Sequence, residues 1–122
     1  MQWLLHGQLT GAVGEALRRH EHVAHAPDEL ALAPDVSLVD ILKSAHTKQW
    51  DVITSDQAMA SAPFDAGFVF SRSIVFLQLE GGDVEQDDAV DRLFARYKRL
   101  VPGRLYTVTG SRVKVRQLPT LR

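Results

Sequence analysis

Short apolar segments alternate with amphipathic helical segments along most of this chain. Three segments have the aliphatic, β-branched and aromatic composition of buried strands, at 3–5, 51–54 and 73–79. Apolar residues recur at helical spacing in three others, at 11–17, 37–49 and 83–100. Strands that alternate with helices predict a largely parallel sheet covered by helices on both faces, so the expected fold class is three-layer α/β.

A β-hairpin is predicted near the carboxyl end of the sequence. Two segments in which apolar and polar residues alternate, 105–109 and 112–118, flank the Gly-Ser pair at 110–111 as in a two-residue turn. Residues 22–24 are expected to add a short second strand, and the run at 73–79 is expected to be central. The mostly parallel sheet should therefore carry an antiparallel hairpin at one edge.

Length and composition are those of one ordinary domain. The chain has 122 residues, 45% hydrophobic and 24% charged, which suits a single domain over residues 1–122 with a buried core. It contains no cysteine, and this excludes disulfides, thiolate metal sites and cysteine nucleophiles. Without a basic leader or an apolar run of about 20 residues, the sequence predicts a soluble cytoplasmic protein.

Charge is divided sharply along the chain. Residues 1–91 contain five Lys/Arg and all fifteen Asp/Glu, whereas residues 92–122 contain nine Lys/Arg and no acid. The division suits a polyanion-binding surface beside an acidic cleft, and it also suits two faces that attract each other within the fold. Six basic residues are candidates for binding RNA phosphates: Arg92, Arg96 and Arg99 on one predicted helix face, and Arg112, Lys114 and Arg116 on a predicted strand.

Three short segments place polar residues at predicted strand ends and at a helix start. They are Leu-Leu-His-Gly-Gln-Leu at 4–9, Ser-Leu-Val-Asp-Ile-Leu at 37–42 and Val-Ile-Thr-Ser-Asp-Gln-Ala at 52–58. In this order and spacing they resemble the motifs of stand-alone PIN-like proteins, a family of small bacterial nuclease-fold domains. The resemblance covers roughly residues 1–80 and implies a three-layer PIN-like fold.

The resemblance also implies a metal site, in reduced form. His6 stands where the family's Leu-Leu-Asp-Glu-Asn-Leu opening has an aspartate, and Asp40 falls at the glutamate of its Ser-Asp-x-Glu-Ile-Leu motif. Asp56 matches the first aspartate of the Val-Thr-x-Asp-x-Asp strand end, whereas Ala58 replaces the second. In such enzymes the carboxylates bind Mg²⁺ or Mn²⁺, which activates water for attack on an RNA phosphodiester.

The candidate catalytic and metal-binding residues are accordingly His6, Asp40 and Asp56, with Asp83 as a candidate for a further carboxylate. Each also has a structural interpretation. His6 can be a partly buried polar residue, and the aspartates can be helix caps or first-turn acids. A histidine ligand suits Mn²⁺ or Zn²⁺ better than Mg²⁺. The remaining histidines are interpreted as surface residues: His20, His22, His25 and His46.

Two functions of different classes remain open. One is a metal-dependent ribonuclease with a reduced site, and the other is a non-catalytic PIN-like module that binds single-stranded RNA or a protein partner such as an antitoxin. Pairing of the edge hairpin would allow a homodimer. A receiver domain is the structural rival, because residues 51–59 resemble its phosphoacceptor strand; receivers, however, carry paired acids after the first strand, and residues 1–14 contain none.

Overall fold

A computed structural model describes residues 1–120 as six strands, four α-helices and one 3₁₀ turn. The strands are β1 (Gln2–His6), β2 (Val23–His25), β3 (Asp51–Thr54), β4 (Ile74–Leu77), β5 (Arg104–Val108) and β6 (Val113–Gln117). The helices are α1 (Gly11–Arg19), α2 (Leu38–Thr47), α3 (Gln57–Ala66) and α4 (Asp83–Arg96), and the 3₁₀ turn is Pro27–Leu30.

All six strands form one sheet in the order β2-β1-β3-β4-β5-β6. The first five are parallel, and β6 pairs antiparallel with β5, so the predicted α/β class and the antiparallel edge hairpin are confirmed. The parallel strands follow the 2-1-3-4-5 order of doubly wound sheets, whose topological switch point lies between β1 and β3. The hairpin departs from the receiver alternative, in which a helix follows the last parallel strand.

The sheet separates two apolar cores, as the alternation of strands and helices predicts. Trp3, Ile53 and Val75 point toward α1 and α4, where they pack with Leu17 and Leu93. The intervening strand residues point to the other face, where they pack with α2 and α3; this second core includes Leu4, Val52, Ile74, Leu42 and Met59. Because side chains alternate across a strand, successive residues of each strand face opposite helix pairs.

Side-chain caps begin three of the helices where the sequence predicts helix starts. The Thr10 hydroxyl accepts a hydrogen bond from the Ala12 N–H at the start of α1, and the Ser37 hydroxyl accepts one from Asp40 N–H at α2. Asp56 caps α3 in the same way. These caps satisfy backbone donors that the first helical turn leaves unpaired.

The last helix is shorter than its apolar pattern predicts. It ends at Arg96, and Tyr97 adopts an extended conformation in which its ring packs edge-on against Tyr106, with 5.4 Å between ring centroids. Leu100 is buried as predicted, but it reaches the core from the bend that follows the helix rather than from the helix itself. Tertiary packing of Tyr97 thus overrides the helical spacing.

The interpretation of four histidines as surface residues is wrong. All four are half-buried, because each imidazole packs against an aromatic ring while keeping a polar contact. His22 Nδ1 accepts a hydrogen bond from the Trp3 Nε1–H (2.9 Å), and its ring lies 4.7 Å from that of Phe94. His25 stacks on Trp50 at 3.8 Å between centroids. The structure therefore uses these histidines for packing.

A buried carboxylate holds the amino-terminal ends of β3 and β4 together. The Asp51 side chain is 1% exposed and accepts hydrogen bonds from the Ser73 N–H (2.7 Å) and from the Arg72 guanidinium (3.0 Å). Burial raises the pKa of Asp51, against the lowering effect of those two donors. Removal of the carboxylate would leave a buried N–H and a partly buried guanidinium without their partner.

None of the helices described for residues 1–120 is long and apolar enough to span a membrane.

We predict that Asp51→Ala lowers the free energy of unfolding by about 3 kcal/mol, since it leaves the Ser73 N–H and the Arg72 guanidinium unpaired. Asp51→Asn should cost less, because the amide oxygen still accepts from Ser73 and the neutral group is cheaper to bury. Urea denaturation checks both values. Equal losses in the two variants would show that the charge of Asp51, rather than its acceptor atoms, holds the strands.

We also predict that His22 makes stability fall as the solution is acidified. Burial lowers the pKa of His22 to about 4 from its ordinary 6.5, so between these pH values the unfolded chain binds a proton that the folded chain excludes. Stability should therefore rise with pH across this window, by about 2 kcal/mol, which is less than the full linkage value of about 3.4 kcal/mol because solvent screens the half-buried ring. His22→Asn keeps an acceptor for Trp3 and should flatten this part of the pH profile measured by urea denaturation.

Candidate functional site

The candidate site lies at the carboxyl edge, the side of the sheet where the parallel strands end. β1 and β3 are neighbours there and flank the switch point of the strand order. In open α/β sheets this crevice is the usual ligand position. His6 is the last residue of β1 and lies opposite Thr54, the last residue of β3, so the two strand ends supply adjacent polar side chains.

Thr54 connects the two predicted site residues from neighbouring strands. Its buried hydroxyl lies 2.8 Å from His6 Nδ1 and also accepts a hydrogen bond from the Asp56 backbone N–H at 2.9 Å. The side chains of His6 and Thr54 meet because they occupy paired positions on the same face of parallel strands. Thr54 thereby fixes the imidazole and the chain direction at Asp56 together.

The turn after β1 fits closely against the end of β3. Gly7 has φ +84°, and a Cβ atom at this position would lie 2.7 Å from Ser55 Oγ. That hydroxyl accepts a hydrogen bond from the Gln8 N–H at 2.7 Å. A left-handed conformation and a close approach thus both require glycine after His6.

Electrostatics make His6 a neutral imidazole at neutral pH. Burial lowers the pKa of His6 below its ordinary value, and the negative charge of Asp56 partly opposes this effect. Asp56 is half-buried, and its Oδ1 accepts a hydrogen bond from the Ala58 N–H at 2.9 Å. The charge of Asp56 is therefore close enough to influence the pKa of His6, and the structure brings this predicted pair together.

The other two predicted acids have different surroundings. Asp40 is exposed in the first turn of α2 and donates its N–H to Ser37. Asp83 is exposed in the first turn of α4 and lines a depression with Gly11 and Glu15, on the α1 side of the sheet rather than the His6 side. Within residues 1–120, no three His, Asp or Glu side chains are placed to hold a metal ion.

Of the three arginines predicted to share a helix face, Arg92 and Arg96 lie one turn apart on α4 and only Arg99 lies off the helix. Arg92 is half-buried and donates to the Thr109 carbonyl, which ties α4 to the end of β5. Arg96 is exposed at the end of α4, with its guanidinium 5.7 Å from the Tyr97 ring centroid. Arg99 lies beyond the helix, because α4 ends earlier than its pattern predicts. Arg92 consequently has a structural contact, while Arg96 and Arg99 remain open to solvent.

The basic residues of the hairpin are exposed, and two of them share a surface. Lys114 and Arg116 alternate along β6 and face α3, whereas Arg112 lies in the turn before the strand. The acids of α4 pair elsewhere: Asp87 and Asp91 bind Arg19 of α1. Within residues 1–120, no ion pair includes a Lys or Arg after Asp91. The acidic and the basic parts of the described chain therefore form no direct ion pairs with each other.

Sequence reasoning missed several polar residues around the carboxyl edge. Gln57 and Gln78 are exposed at this edge. Farther along the same face of the sheet, level with the amino end of β5, Phe64 of α3 lies beneath the Arg116 guanidinium. A buried threonine at the end of an apolar strand was the one available signal for Thr54. The others come together only through the order of the strands, which the sequence pattern does not specify.

No protein-family model, curated protein or solved structure matches this chain. Its function is therefore inferred from its residues and their geometry.

We predict that Asp56→Asn lowers the pKa of His6 further, because the substitution removes the negative charge that favours the imidazolium. Asparagine is as good a helix cap as aspartate, so α3 should be retained. NMR titration of the His6 ring protons measures the shift. Asp40→Asn serves as the control and should leave the His6 titration unchanged; an equal shift in both variants would rule out specific coupling to Asp56.

Proposed function

We propose that this chain is a PIN-like domain that acts on single-stranded RNA as a slow, metal-dependent ribonuclease centred on His6 and Asp56. The observation that carries the proposal is that the Thr54 hydroxyl contacts both His6 Nδ1 (2.8 Å) and the Asp56 N–H (2.9 Å), at the switch point of the sheet. The same two residues stand at the acidic positions of two motifs that resemble the PIN-like family.

The donor set suits a transition-metal ion better than Mg²⁺. In the tautomer in which His6 Nδ1 donates to Thr54 Oγ1, Nε2 is unprotonated, as a metal ligand must be. The cap made by Asp56 Oδ1 leaves Oδ2 for a ligand role. One imidazole nitrogen and one carboxylate oxygen fit Mn²⁺ or Zn²⁺. A bound ion of this kind would polarise an RNA phosphate and lower the pKa of a water molecule.

The protein residues would contribute position and charge. Thr54 holds the imidazole in a fixed orientation, and the lowered pKa of His6 keeps the ring neutral, which suits it to bind a cation or to accept a proton. Asp56 supplies the negative charge. With two such ligands instead of the three or four carboxylates implied by the family resemblance, slow hydrolysis is expected.

A non-catalytic PIN-like module, which binds RNA or a protein partner, is the second candidate. It is favoured by the structural roles that both site residues already have, since His6 bonds to Thr54 and Asp56 caps α3. These structural roles would account for both residues even if the site catalysed no reaction. The exposed edge of β6 could also pair with a second copy of the chain.

We predict that Asp56→Asn abolishes Mn²⁺-dependent cleavage of single-stranded RNA, because the variant loses the charged ligand while it keeps the helix cap. Gel analysis of a labelled oligoribonucleotide measures the rate. Asp40→Asn is the matched control and should cleave at the wild-type rate. Wild-type protein that shows no cleavage above a metal-only blank would support the non-catalytic module instead.

Restoration of the family acid at position 6 tests the metal site independently of catalysis. His6→Asp places a carboxylate beside Asp56 and should raise Mg²⁺ affinity, since Mg²⁺ prefers oxygen ligands. Calorimetry should record a gain of about tenfold or more over wild type. The double variant with Asp56→Asn should lose that gain, and an unchanged affinity in His6→Asp would show that the two side chains do not share a cation.

A further inference from the structure

A polar depression beside the candidate site has no role in the structure described so far. It lies between α3 and the β5–β6 hairpin and has a volume of about 240 Å³. We call it the hairpin depression; its principal lining residues are Gln57, Ser61, Phe64, Gln78, Lys114 and Arg116. Its chemistry combines two cations, two amides, a hydroxyl and an aromatic ring.

The cationic side of the hairpin depression has a fixed geometry. The Arg116 guanidinium lies over the Phe64 ring, 3.9 Å from its centroid, and this cation–π contact favours one position of the guanidinium. Arg116 is exposed, and its outer face is open to a second flat group. Guanidinium planes and aromatic rings are the surfaces on which unpaired nucleobases stack in single-stranded RNA complexes.

Lys114 places a second charge on the same face of β6. Residues two positions apart on a strand are separated by about 7 Å, so the ammonium of Lys114 can neutralise a phosphate while Arg116 stacks. Gln57 and Gln78 add amide donors and acceptors that can hydrogen-bond the edge of a base. Among the described residues that line the depression there is no carboxylate to repel a phosphate.

The hairpin depression continues toward His6 and Asp56. A neighbouring depression shares Gln57, Phe76 and Gln78 with it and extends to Ser55, which directly precedes Asp56. A single strand that lies along this path would pass from the carboxyl edge of β3 to the cations of β6. The arrangement provides a place for a base farther along the same strand, because Arg116 pairs with Leu105 at the amino end of β5 and so lies apart from the candidate site.

We infer that the hairpin depression is a nucleotide subsite, which stacks one base of single-stranded RNA on the Arg116–Phe64 pair and binds its phosphate through Lys114. This inference rests on the proposed action on RNA and adds where the substrate lies. An acidic peptide is the competing ligand for two cations. The carboxylates of such a peptide would pair with the two cations, but they would make no stacking contact with the planar Arg116–Phe64 pair.

Fluorescence anisotropy with a labelled oligouridylate of about ten nucleotides tests the subsite, in EDTA so that no cleavage occurs. Arg116→Gln should weaken binding about tenfold, because it removes both the stack and a charge. Arg112→Gln is the charge-matched control on the same hairpin and should weaken binding no more than about threefold. Equal losses in the two variants would overturn the subsite in favour of diffuse attraction to a basic surface.

A second variant separates stacking from charge. Phe64→Leu keeps an apolar side chain in α3 and should weaken binding about fivefold without changing the salt dependence. Lys114→Gln should instead reduce the slope of log affinity against log salt by about 0.7. Wild-type affinity in Phe64→Leu, with the fold verified by circular dichroism, would overturn the stacking role.

The outcomes distinguish this inference from the proposed function. Asp40→Asn, which lies outside both the candidate site and the depression, should bind the oligouridylate as wild type does. Wild-type protein that cleaves RNA, with Arg116→Gln unimpaired in binding, would refute the subsite and leave the ribonuclease in place. Wild-type protein that does not bind the oligouridylate, or that binds polyglutamate at the same residues with higher affinity, would refute the subsite as a nucleotide site.

Discussion

The parallel pairing of β1 with β3 is the constraint on which the rest of this structure depends. It creates the switch point of the sheet and sets His6 opposite Thr54, whose hydroxyl then bonds both His6 and the Asp56 backbone. A slip of one residue in this pairing would turn the alternate face of β1 toward α2 and α3. Leu4 would leave its core, and the imidazole would lose its partner. Core packing and site geometry are therefore fixed by the same register.

Much of the fold follows from the sequence because its local signals agree with its tertiary packing. Apolar runs of the right length give β3 and β4, and Thr10 and Ser37 begin helices where side-chain caps are expected. The same signals place His6 and Asp56 at strand ends. They do not give the order of the strands, and for this reason the contacts made by Thr54, Phe64 and Gln78 could not be predicted from the sequence.

The predictions that fail concern side chains that can make favourable contacts in two different environments. Helical spacing predicts that Arg99 lies on α4, but Tyr97 packs more favourably in an extended conformation against Tyr106, and the helix ends there. A histidine such as His22 counts as polar in sequence, yet its ring packs on Phe94 while one nitrogen accepts the Trp3 N–H. A hydrophobic pattern assigns each residue to the core or to the surface, whereas these side chains pack an apolar face in the core and keep a polar contact as well.

The buried Asp51 lies at the end of β3 opposite to His6 and Asp56, and this separation has an evolutionary consequence. The residues that lock the strands together occupy the amino end of the sheet, so the loops at the other end can exchange side chains without loss of the scaffold. A lineage could exchange one side chain at this edge and still inherit a folded domain. New specificities could then arise on an old framework, one strand end at a time.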